Sequence, residues 1–68
     1  MLTRPKATIM LAPGDVVVIA GKTLQFSAWK TTNTPGVLQV TVIDKSQPAG
    51  HDTIVFTRHA TDLINVVV

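Results

Sequence analysis

Hydrophobic and polar positions alternate in short bursts along this chain, and the period is that of strands rather than helices. Leu24, Phe26 and Ala28 fall on one side of an extended segment, with Thr23, Gln25 and Ser27 on the other. Leu38, Val40 and Val42 repeat the pattern against Gln39 and Thr41. Ala7–Leu11 and Thr53–Thr57 are two further candidates, and Val16–Ile19 is a continuous apolar run of the kind expected for a strand buried on both faces. Leu63–Val68 closes the chain as a valine-rich strand.

Turn chemistry separates these segments. Ala12-Pro13-Gly14, Ala20-Gly21-Lys22, the polar loop Lys30–Gly36 and the polar stretch Asp44–Asp52 interrupt the runs, because proline and glycine mark reversals. Arg58–Asp62 reads as a turn or one helical turn. Short strands at regular spacing predict an all-β domain over 1–68, a five-stranded small barrel of SH3-like or Sm-like kind. In an open sheet, Val66-Val67-Val68 would be an edge ready to pair with another chain.

Length and composition add an expectation about assembly. Domains of 68 residues bury a small share of their surface and usually rely on disulfides, a metal or oligomerisation. There is no cysteine, and the two histidines, His51 and His59, have no clustered carboxylates beside them, so no metal or cofactor is expected. Apolar residues make up 46% of the chain and mean hydropathy is +0.35, more than so short a chain hides in its own core. A homo-oligomer is the expectation that follows.

No apolar run approaches the ~20 residues of a membrane span. The start of the chain, Leu2-Thr3-Arg4-Pro5-Lys6, lacks the apolar stretch of a signal peptide, so a soluble, cytoplasmic protein is expected. The net charge of +2 and pI near 9.5 permit nucleic-acid binding without demanding it. The six cations are scattered.

Two neighbouring pairs carry the candidate chemistry. Trp29 can stack a base while Lys30 meets a phosphate, and Arg58-His59 offers a cation and an imidazole beside a turn. Lys22, next to the Gly21 reversal, is a third cationic position. Against these stand plain structural roles: Trp29 as a core cap or interface anchor, and His59 as a polar turn residue. His51-Asp52 has no third ligand or nucleophile and reads as a surface loop, and Asp15 as a turn aspartate bonding its own backbone. No nucleophile elbow, phosphate-cradling loop or zinc spacing is present, so an enzyme is not expected.

Val55-Phe56-Thr57-Arg58-His59-Ala60, followed by Ile64-Asn65-Val66-Val67, resembles the end of the bacterial Hfq branch of the Sm-like proteins. Val16–Gln25, with Gly21 and then Leu24-Gln25, resembles the strand–glycine–strand signature of the same family. The resemblance implies a ring in which Arg58 and His59 line a central pore and contact uridine-rich RNA. The chain departs from the family at its start, where Pro5 and Pro13 replace a helical segment, and at Phe26, where a second glycine belongs. Gly14-Asp15-Val16-Val17 with Trp29 and Thr32–Gly36 is also similar to the SH3-like barrel of plasmid-borne dihydrofolate reductases. That family's catalytic Val-Gln-Ile-Tyr strand is not reproduced at Thr53–Phe56. The function expected is an oligomeric RNA- or single-stranded nucleic-acid-binding barrel. The alternative is a structural or protein-interaction module of phage or mobile-element origin.

Overall fold

The computed structural model describes residues 2–68. It is all-β: six antiparallel strands, β1 (Thr3–Ala7), β2 (Val16–Ile19), β3 (Lys22–Thr31), β4 (Val37–Ile43), β5 (Thr53–His59) and β6 (Leu63–Val67), with a short 3-10 helix at Thr8–Met10. They form one sheet in the order β1-β6-β2-β3-β4-β5. No described residue joins β5 to β1 in a ladder, so the sheet is open and the expected five-stranded closed barrel is corrected to six strands with two edges.

The extra strand comes from a segment whose pattern misleads. Ala7–Leu11 alternates like a strand, but only Ala7 belongs to one, and Thr8–Met10 takes a 3-10 turn. Thr8 and Leu11, three apart, are the two buried positions there, which is the spacing of a 3-10 helix rather than of a strand. Thr8 is fixed to the turn before β6: its N–H and its hydroxyl both donate to the Asp62 carbonyl at 2.9 Å. β1 then runs back along β6 with Pro5 opposite Asn65. The valine-rich final strand is therefore an inner strand, covered on its outer side by β1, and not the free edge expected of it.

One face of the sheet carries the core. Val17, Leu24, Phe26, Val40, Val42, Ile64 and Val66 pack together with Leu11, and Ile19, Trp29 and Phe56 lean against them half-buried. β6 and β4 are separated by two strands in the sheet yet share this cluster, so the sheet curls over its own apolar face, as twisted sheets do. β2 is not buried on both faces as its apolar run predicts: Val17 is fully buried while Val16 is 37% exposed. Leu2, Met10, Val55, Leu63 and Val68 are each more than half exposed.

Two local features set which side chains face the core. Ile19 and Lys22 are opposite each other across a two-residue turn in which both Ala20 (φ 53°) and Gly21 (φ 77°) are left-handed, the geometry that matches strand twist. Within β3, Phe26 is opposite Val42 but Ala28 is opposite Thr41, so Ser27 is an extra, bulged residue. The bulge reverses the alternation. Ala28, expected beside Phe26 on the core face, is exposed on the other one, and Trp29 takes the core side opposite fully buried Val40.

Candidate nucleic-acid interface

The rungs across β3, β4 and β5 decide which predicted residues meet. Trp29, Val40 and Phe56 form one rung, Lys30, Gln39 and Thr57 the next, and Thr31, Leu38 and Arg58 the third. Successive rungs face opposite sides of the sheet. Trp29, Phe56 and Arg58 therefore share the core face, while Lys30 shares the other face with Gln39, Thr57 and, two rungs on from these, His59 opposite Val37. The two sequence neighbours in each predicted pair are parted, and the four residues regroup as Trp29 with Arg58 and Lys30 with His59.

On the core face, Val40 and Leu38 form a buried floor, and Trp29 and Phe56 stand half-buried on either side of Val40. The Arg58 guanidinium carbon lies 5.7 Å from the centroid of the Phe56 ring, within cation–π range. Arg58 makes no ion pair among the described residues, because the two salt bridges are Lys6–Asp15 at 3.0 Å and Lys22–Asp44 at 3.6 Å. Two aromatic rings with a free guanidinium at a sheet margin are the components of a stacking platform. Phe56 is the member that reasoning on paired neighbours missed. Its signal was the alternation of β5, which sets positions 54, 56 and 58 on one face.

On the opposite face His59 is exposed, and its backbone N–H donates to the Asp62 carboxylate at 3.3 Å, closing the turn into β6.

Lys22 lies apart from both groups. Seven strand positions separate it from Trp29, roughly 20 Å along β3. It borders a shallow depression formed with Thr23, Asp44, Lys45 and Ser46, and its ammonium is turned toward the Asp44 carboxylate. Asp44 is buried and accepts from the Ser46 hydroxyl at 2.6 Å and the Ser46 N–H at 3.0 Å. Those Ser46 hydrogen bonds, with Lys22 adding to them, hold its carboxyl below the usual carboxylate range against the opposing effect of burial.

Asp15 behaves as a turn aspartate. Its carboxylate accepts from the Ala12 N–H and from the Lys6 ammonium, both at 3.0 Å, and these two contacts, the backbone one first, lower its pKa. His51 and Asp52 sit at the loop leading into β5, and no group of three metal-ligating side chains exists among the described residues. Among the described residues, no helix is long and apolar enough to cross a membrane. No protein-family model, curated protein or solved structure matches this chain.

Proposed function

We propose that this chain is a small, non-enzymatic, cytoplasmic domain that binds single-stranded nucleic acid, RNA above all, in the manner of the Sm-like proteins its sequence resembles, and that it works as a homo-oligomer. The observation that carries the reading is the Trp29–Val40–Phe56 rung with Arg58 beyond it. A base stacked on an exposed aromatic edge contributes about 1–3 kcal/mol whatever its identity. The guanidinium over Phe56 is available to a phosphate or to a second stacked base, since no acid among the described residues engages it. Lys30 and His59 on the other face are a weaker, separate polar strip with a single lysine cation.

Trp29 is the sole tryptophan, so its emission reports occupancy of the site directly. Titration with oligo-U and oligo-A is expected to quench that emission, with affinity falling as salt rises at about −0.7 log units per log unit for each phosphate neutralised. Unchanged Trp29 emission with both oligomers at low salt sinks the reading. A second reading, a structural module from a phage or mobile element that acts by assembly, is favoured by the uncovered edge of β5. It predicts a stable oligomer with no response to either oligonucleotide.

A further inference from the structure

The two edges of the sheet differ in a way that selects one of them for pairing. In the β1–β6 ladder, Thr8 N–H donates to the Asp62 carbonyl and Val68 N–H to the Leu2 carbonyl, so even-numbered residues of β1 turn their backbone groups inward to β6. Thr3, Pro5 and Ala7 turn theirs outward. The centre of that edge is thus a proline with no N–H to offer, flanked by Arg4 and Lys6, which is how natural sheets blunt an edge.

The β5 edge has no such guard. Asp44 N–H donates to the Asp52 carbonyl at 2.7 Å and Ala60 N–H to the Gly36 carbonyl at 2.8 Å, both on the register of the β4–β5 ladder. Even-numbered residues of β5 are therefore bonded to β4, and Thr53, Val55, Thr57 and His59 present their backbone groups to the open side. The His59 N–H is already taken by Asp62. Three consecutive outward residues remain, centred on Val55, which is 53% exposed.

We infer that this edge is completed by a second copy of the same chain, β5 against β5, antiparallel about a two-fold axis through Val55. That register sets Val55 opposite Val55 of the second copy and Thr53 opposite its Thr57. Three residues on each of two chains then donate once each, giving six backbone hydrogen bonds that use every free outward group of 53, 55 and 57. On the core face it sets Ile54 opposite Phe56 and Asp52 opposite Arg58, an acid and a cation that have no ion-pair partner among the described residues. Moving the axis to Phe56 breaks both matches, since Thr53 would meet the occupied His59 and Arg58 would meet Ile54. The two-fold arrangement closes on itself, and the Pro5 edges left at either end stop further growth. The inference goes beyond the nucleic-acid reading, although the two compete for Arg58.

Sedimentation equilibrium between about 10 μM and 1 mM, without nucleic acid, tests the assembly, a range suited to a single strand pair as interface. The wild-type chain is expected to dimerise, and Val55→Lys, which sets two ammoniums face to face on the axis, to weaken the dimer about tenfold or more. Register is read independently by oxidising single-cysteine variants of this cysteine-free chain. Val55→Cys is expected to cross-link, whereas Thr57→Cys is not, its copies being about 13 Å apart along the strands. A wild-type monomer at the highest concentration, or Thr57→Cys cross-linking as readily as Val55→Cys, overturns the inference.

Discussion

Trp29 and Arg58 stand on the same face of the sheet, two rungs apart along β4, with Val40 buried beneath the first and Leu38 beneath the second. Neither faces the same way as its neighbour in sequence. This regrouping converts two adjacent-residue motifs into one apolar platform with a cation and one polar strip.

If the platform binds bases, substitutions must sort by face rather than by sequence neighbourhood. Trp29→Ala and Arg58→Ala are each expected to weaken oligonucleotide binding, Trp29→Ala by about 1–3 kcal/mol. Lys30→Ala and His59→Ala should change it by less than about threefold, the scale of an exposed charge. Anisotropy of a labelled oligo-U measures all four without relying on tryptophan emission. Trp29→Phe, which retains a ring, should recover most of the loss. Equal effects from Lys30→Ala and Trp29→Ala would place the ligand elsewhere.

Ser27 carries the phase of half a strand. Deleting it leaves Phe26 opposite Val42, Ala28 opposite Thr41 and Trp29 opposite Val40, now joined in unbroken alternation without the bulge. The deletion variant is therefore expected to keep cooperative unfolding and near wild-type tryptophan emission, with Trp29 still on the core face. Were Ser27 an ordinary in-register residue, its loss would slip Trp29 to the opposite face and set Lys30 opposite Val40, a severely destabilising placement of an ammonium. Loss of cooperative melting with red-shifted emission would thus disprove the bulge.

Ala20 occupies a left-handed backbone conformation, which costs an ordinary residue roughly 1–2 kcal/mol. Asparagine tolerates it and Asn-Gly is the preferred pair for this turn. Ala20→Asn is expected to raise stability by about 0.5–1 kcal/mol, a few degrees in Tm for a domain of this size. Ala20→Val, β-branched in the same conformation, should lower it. Urea unfolding of the three proteins gives the order Asn above Ala above Val, and any other order contradicts the turn geometry.

Asp15 and Asp44 both have folded-state pKa values below their ordinary ones. A depressed carboxylate pKa contributes stability that is complete above the unfolded value and disappears as pH falls through the folded value. Stability should therefore be flat near neutrality and decline as pH drops from about 4 toward 2. Asp15→Asn retains bulk but loses the charge that receives Lys6 and the Ala12 N–H, and is expected to cost about 1 kcal/mol at pH 7. Denaturant midpoints across pH should show that difference shrinking on acidification, and a constant difference down to pH 2 would refute the assignment.

Apart from β1, whose place the pattern gave to Ala7–Leu11, strand identity and turn position were legible in the chain because they depend on local chemistry. The alternation around Leu24 and Phe26 and around Leu38, Val40 and Val42, the turns at Gly21 and Gly36, and the loop after Asp44 are all where the residues predict them. The all-β class follows from that pattern. Facing and adjacency were not legible, because each depends on a partner strand distant in sequence. Ser27 reads as one more polar position until β4 is set beside it, and only then does it throw Trp29 onto the core face. Val66-Val67-Val68 reads as an edge until Thr3–Ala7 covers it, a pairing fixed by Thr8 and Asp62, fifty-four residues apart. Which backbone groups of β5 remain open is likewise decided by its ladder with β4. An extended strand's own residues set the two-residue period of its side chains, but its phase and its free hydrogen-bonding side are set by the neighbour it bonds.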